Sequence, residues 1–259
     1  MKSILTATAN KLIILLALVS VLPILPAHAD EKLSNGLVKT FYSGGQIKEE
    51  KNYKDGKLDG AYKAYYENGK LQQEVPYQNG VIDGIAKKYF VTGGPELESA
   101  YKQGKKNGAH KGYSKENGKL MLDETYQNDK LEGAQIMYRD DTGQLMSRTE
   151  YLHGLRNGQE IVYTPKGTTF FESNYKNGDK DGPEKWYNVT SGLLEYVYKY
   201  TAGKKNGEAT YYDTSSNRPN ILYKIEHYEN DVLNGKIFYY NGNGRLSRTE
   251  TYQNGKQTG

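Results

Sequence analysis

The sequence predicts an all-β fold: an elongated, single-layer antiparallel array of about eight β-hairpin repeats of 24–25 residues. Three observations lead there. An eight-residue phrase recurs nine times, from YKDGKLDG at Tyr53 to YQNGKQTG at Tyr252. Its opening tyrosines stand 24, 24, 25, 25, 24, 25, 28 and 24 residues apart, a period that marks a repeat array rather than a single globular core. The 29 glycines fall at regular spacing and leave no unbroken run of the roughly 10–12 residues that a helix needs.

The first segment is unlike the rest. Lys2 and Lys11 precede the apolar run LIILLALVSVLPIL (12–25), followed by Ala27-His28-Ala29 and Asp30. This pattern reads as a secretory signal peptide, residues 1–29, cleaved between Ala29 and Asp30, and a 14-residue run is shorter than the roughly 20 residues of a membrane span. The chain is therefore expected to be exported, in the periplasm or secreted. No cysteine is present, which excludes disulfides and a lipid anchor on cysteine. Removing Lys2 and Lys11 takes the formal charge from +4 to about +2, with basic and acidic residues interleaved. Nucleic acid, which selects clustered positive charge, is excluded as a partner.

Residues 30–52 are expected to form an N-terminal capping hairpin, 53–252 eight repeats and 253–259 a C-terminal cap. The repeats align on Tyr53, Tyr77, Tyr101, Tyr126, Tyr151, Tyr175, Tyr200, Tyr228 and Tyr252. Seven residues on stands a glycine every time: Gly60, Gly84, Gly108, Gly133, Gly158, Gly182, Gly207, Gly235 and Gly259. Twelve residues on stands a second tyrosine: Tyr65, Tyr89, Tyr113, Tyr138, Tyr163, Tyr187, Tyr212 and Tyr240. Three residues on, glycine is replaced only by Asp129 and Asp231, which marks a left-handed backbone position.

Between glycine and next tyrosine each unit reads as two extended runs around a tight turn, such as AYKAYY, ENGK and LQQEVPY over 61–77. Eight such hairpins with an opening strand pair give about 17 strands, a ribbon of roughly 80 Å. Seventeen of the 25 tyrosines occupy the two tyrosine columns, so their rings are expected to stack as ladders along the ribbon.

Enzyme signals are absent. There is no cysteine nucleophile, no G-x-S-x-G, no H-E-x-x-H and no Walker-type loop, and His110, His153 and His227 share no spacing. No catalytic, cofactor or metal residue is therefore assigned. Asn177, Asp179 and Asp181 alternate as calcium ligands would, but Asn or Asp before Gly is also what tight turns select. Glu50, Glu74, Glu98, Asp123 and Glu172 recur three residues before the opening tyrosine, as a solvated face beside lysines would. The C-terminal half is more apolar, and DTSSNRPN (213–220) lengthens one loop there. Recognition is expected in that half, on Trp186, Tyr196, Tyr198, Tyr211, Arg218, Tyr223, Phe238 and Tyr239.

The columns Y-x-x-G-x-x-x-G-x4-Y, a turn glycine and L-x5-Y, seen in GAYKAYYENGKLQQEVPY (60–77) and GKIFYYNGNGRLSRTETY (235–252), resemble the MORN-repeat variant of bacterial YwqK-type antitoxin proteins. The resemblance covers residues 36–259 and implies a protein-binding antitoxin or immunity component, with a toxin or effector as partner. Eukaryotic MORN relatives imply membrane-lipid binding or scaffolding instead. FVTGGPELESAY (90–101) and DTSSNRPNILYKIEHY (213–228) depart from the turn pattern. YYNGNGRL (239–246) is similar to YD repeats, and the Tyr-Tyr hairpins to glucan-binding repeats, whose Trp-rich sites a lone Trp186 does not match. The expected function is an exported protein-binding scaffold, with membrane-lipid or cell-wall glycan binding and a structural spacer as alternatives.

Overall fold

The computed structural model describes residues 35–215 and 220–259; residues 1–29, expected to be a signal peptide, and Arg218 lie outside the described residues. The rest forms one open antiparallel sheet of 25 strand segments in hairpin order, each strand hydrogen-bonded to the strands before and after it in the chain, and no helix occurs among the described residues.

One unit explains the others. The strand Leu71–Gln78 pairs backwards with Gly60–Tyr65 and forwards, across Asn79-Gly80, with Val81–Ile82 and Gly84–Tyr89. Asn79 and Gly80 have φ of 52° and 85°, the two consecutive left-handed residues of the hairpin turn that matches strand twist. Asp129 and Asp231, with φ of 66° and 70°, occupy the glycine position of this turn and do more than tolerate it. Their carboxylates accept the backbone N–H of Lys106 and Lys205 at 2.8 Å. Elsewhere the residue before the column glycine takes that bridging role: Asp59 accepts the N–H of Asn79, Asp83 that of Gln103 and Asp181 that of Ala202. The alternation of Asn177, Asp179 and Asp181 is thus partly a hydrogen-bonded link between successive turns.

The expectation of about 17 strands is corrected to 25 segments. In six crossings the residue before the column glycine, as at Asp59, leaves the ladder and splits the strand, while Lys105–Tyr113 and Leu155–Tyr163 run through unbroken. The opening hairpin, Gly36–Phe41 with Ile47–Lys54, repeats the pairing of every later unit, since Gly36 faces Tyr53 as Gly60 faces Tyr77.

The sheet has two unequal faces. Residues alternate in phase from the column glycine and opening tyrosine, and every strand residue that is buried lies on their side, here called the inner face. No second layer covers it among the described residues; side chains of adjacent strands bury one another.

The expected stacking of tyrosine columns does not occur: among the described residues no ring pair joins two members of either column. Column members sit two strands apart, about 9.5 Å, too far for ring contact. The strand between supplies a long side chain instead. Lys106 lies 4.6 Å from the centre of the Tyr126 ring, Arg156 4.0 Å from Tyr175 and Lys180 5.0 Å from Tyr200. The second column lies on the outer face, where Tyr65 and Tyr113 donate to Glu50 and Glu98. Burial, then that carboxylate, pushes the Tyr65 hydroxyl up to about 12.

Candidate functional site

Following one inner-face position across the sheet gives a continuous row. Phe171 pairs with Trp186, Trp186 with Tyr196, Tyr196 with Tyr211, Tyr211 with Lys224, Lys224 with Tyr239 and Tyr239 with Arg248. The first four are rings in van der Waals reach, with centroids 4.7 Å (Phe171 to Trp186), 5.8 Å (Trp186 to Tyr196) and 6.1 Å (Tyr196 to Tyr211) apart. Beyond them cations cover rings: Lys224 at 3.9 Å from Tyr211 and Arg248 at 3.9 Å from Tyr239. The same position in the N-terminal half holds Glu49, Ala64, Gln73 and Lys88, so the aromatic row belongs to the C-terminal half alone.

A row of carboxylates lies beside it. Glu184 is buried, accepts Trp186 Nε1–H at 3.0 Å and pairs with Lys180. Glu226 is buried and accepts from Tyr211 at 2.5 Å, Tyr228 at 2.9 Å and Lys224 at 2.9 Å. Burial opposes ionisation of Glu226, but these three donors prevail and hold its carboxyl below the usual range. The same burial and carboxylate drive the Tyr211 hydroxyl strongly upward. Burial, with the neighbouring Tyr198 and Glu195, pushes Tyr196 up to about 12. At neutral pH the Tyr196 and Tyr211 hydroxyls therefore keep their protons, and carboxylates hold two rings of the row, Glu226 that of Tyr211 and Glu184 that of Trp186.

The residues expected to recognise a partner separate by face. Trp186, Tyr196, Tyr198, Tyr211 and Tyr223 form one connected set of ring contacts, and Tyr239 continues it through Lys224. Phe238 is not among them. It is one residue out of phase, on the outer face against His227 at 5.9 Å. Phe171 and Lys224, absent from the expectation, belong to the row, and Glu226, also absent, supports it from beside; aligning the position four residues before each opening tyrosine brings Phe171, Tyr196, Lys224 and Arg248 into one column.

The most enclosed polar cluster lies elsewhere. Ser99 Oγ is 2.6 Å from His110 Nδ1, and His110 Nε2 is 3.8 Å from Glu124. All three are at most 2% exposed, so this Ser-His-Glu arrangement gives no substrate access and reads as packing. Among the described residues no group of three or more His, Cys, Asp or Glu is arranged to hold a metal ion, and no helix is long and apolar enough to cross a membrane.

Comparison with known proteins gives a family match at the N-terminal end. The MORN repeat variant model matches residues 34–55 and 58–79, the opening hairpin and the first full unit. No curated protein matches the chain in sequence. Among solved structures, a chain of "Crystal Structure of TcdB2-TccC3-Cdc42" aligns over 83% of this chain at 14% identity with a TM-score of 0.16, and this chain spans 15% of its length.

Proposed function

We propose, from the premise that this chain is a MORN-repeat protein and so a scaffold of the kind that binds proteins or membranes, that it acts as an exported binding protein of the antitoxin or immunity type rather than as an enzyme. The observation that carries the reading is the row Phe171, Trp186, Tyr196, Tyr211, an array of rings on one face held by buried Glu184 and Glu226. Rings fixed before binding lose little entropy on contact, and Trp and Tyr are the side chains that anchor protein interfaces most strongly. The apolar run 12–25 followed by Ala27-His28-Ala29 supports export, so the partner is sought in the periplasm or medium.

Capture from envelope extract tests this. Protein bearing the triple substitution W186A/Y196A/Y211A should lose a partner that the unaltered chain retains, while thermal melting confirms that the sheet persists. Retention of the same partner by the triple variant sinks the proposed face. Co-sedimentation with anionic liposomes, without any captured protein, would transfer the function to a membrane surface.

A further inference from the structure

On the outer face, a single row of side chains crosses the N-terminal half. Lys39 pairs with Glu50, Glu50 with Lys63, Lys63 with Glu74 and Glu74 with Lys87. Lys87 then pairs with Glu98, Glu98 with Lys111 and Lys111 with Asp123. Eight consecutive strands thus alternate in charge without a fault. The row ends there, because Asp123 next meets Ile136, and further on the same row holds Val197, Thr210, Ile225 and Phe238.

Within one copy these pairs are loose. Lys39 and Glu50 lie 2.8 Å apart, but Lys63 to Glu74 is 3.5 Å and Lys87 to Glu98 is 3.9 Å, and the last four keep 35–40% of their side chains exposed. Two rows flank the ladder. One, carrying Leu37, Ala61, Ile85 and Ala109, is without charge; the other carries Phe41, Tyr65, Tyr89 and Tyr113, with Lys48 and Glu96 at the bulges beside them. Leu37, Ile85 and Phe41 are 52%, 56% and 57% exposed, large for apolar side chains on one face of one half.

We propose that this face is the docking surface for a second copy of the chain, in a twofold pair whose axis runs along the strands between Glu74 and Lys87. Symmetry and charge select this arrangement. A twofold axis along the strands keeps each row against itself and reverses strand order. Reversing a row of eight alternating charges sets every position against its opposite: Glu74 of one copy faces Lys87 of the other, Lys63 faces Glu98, Glu50 faces Lys111 and Lys39 faces Asp123. The other face-to-face twofold, with its axis across the strands, sets each charge against itself, and like-charge juxtaposition across an interface costs several kcal/mol. The uncharged row of Leu37, Ala61, Ile85 and Ala109 then meets itself and supplies the affinity, while the ladder fixes register.

The area suffices. Eight strands at about 4.8 Å and six residues at about 3.3 Å give roughly 700 Å² per copy, about 1,400 Å² in total, within the range of specific interfaces. The inner aromatic row stays open in such a pair, so the proposal is independent of the partner reading above.

Charge reversal tests it in solution. The unaltered protein should sediment as a reversible dimer that weakens with added salt. E74K or K87E alone creates two like-charge contacts per dimer and should raise the dimer dissociation constant at least tenfold, with an unchanged melting temperature. An equimolar mixture of the E74K and K87E proteins restores both contacts and should recover the dimer. An I85D variant should weaken association regardless of salt. A chain that is monomeric at high micromolar concentration, single variants that dimerise like the parent, or a mixture that stays monomeric would each overturn the proposal.

Discussion

Gly60 lies directly opposite Tyr77 in the sheet, and the same glycine-to-tyrosine pairing recurs at Gly84 with Tyr101, Gly158 with Tyr175 and Gly235 with Tyr252. The glycine is required twice over. At Gly108 φ is +111°, and a Cβ there would stand 2.9 Å from the Cβ of Ala100 on the neighbouring strand. The column glycine therefore lets the crossing strand take a left-handed backbone turn while lying close against its neighbour.

Replacing Gly108 by Ala should destabilise the array by about 2–3 kcal/mol, from backbone strain and the clash together. Gly94, whose φ lies outside the left-handed region and whose surroundings within 4 Å are empty, provides the control: Gly94→Ala should change stability by less than about 0.5 kcal/mol. Denaturant midpoints of the two variants check the contrast.

Ala202 and Gln103 fit the left-handed turn position poorly, Ala202 with no side chain to hydrogen-bond there. Ala202 adopts φ of 49° where Asn79, Asn128, Asn177, Asn230 and Asn254 adopt the same conformation. Holding Ala in that region costs about 1 kcal/mol more than Asn or Gly. Ala202→Asn should raise stability by roughly 0.5–1 kcal/mol, read as a higher melting temperature, because the Ala202 N–H keeps its bond to Asp181. No gain would mean that the turn is not limiting in that unit.

Much of this architecture was legible because it is local. Left-handed turn positions announce themselves through Gly, Asn and Asp, and a 24-residue period makes each column visible. What stayed hidden is relational. Sequence phase along one strand does not carry across the turn at residues 66–70, where Tyr65 pairs with Leu71 and the register shifts. Phe238 is a separate case: it neighbours Tyr239 in one strand, so alternation alone sets it on the opposite face. The tyrosine columns likewise suggested stacking, since the one-dimensional period does not reveal that a second strand and its Lys or Arg stem intervene. The carboxylates of Glu184 and Glu226 gave no signal in composition, because a buried glutamate is recognised only by the donors around it.

Acid should weaken the array through His110. Burial, and secondarily Lys106, lowers this imidazole from the ordinary 6.5 to about 4. The unfolded chain takes up the proton as pH falls below about 6.5, while the folded chain resists until about 4. The stability tied to neutral His110 is thus complete above pH 6.5 and declines as pH falls toward 4, by up to ~3 kcal/mol. The groups facing it are Ser99, Glu124 and Tyr126, with Lys106 on its own strand. Replacing His110 by Gln should flatten the stability profile between pH 6.5 and 4. An unchanged slope would assign the acid sensitivity to the carboxylates instead.

The two faces of the C-terminal half should differ in their effect on partner binding. Tyr196 and Tyr211 stand in the inner row, whereas Phe238, two strands from Tyr211, packs on His227 outside. Truncating an anchoring ring typically costs 2 kcal/mol or more, about thirtyfold in affinity. Tyr196→Ala and Tyr211→Ala should each reduce affinity for a captured partner by about that factor, while Phe238→Ala leaves it within about twofold. Glu226→Gln supplies a finer test, since it keeps the side-chain volume but removes the charge on which Tyr211, Tyr228 and Lys224 converge. If ring placement depends on that carboxylate, the substitution weakens binding by roughly tenfold without deleting any ring, and isothermal titration would show a less favourable entropy as the freed phenols are ordered again. Equal losses for Phe238→Ala and Tyr211→Ala would place the interface at the strand edge rather than on the inner face.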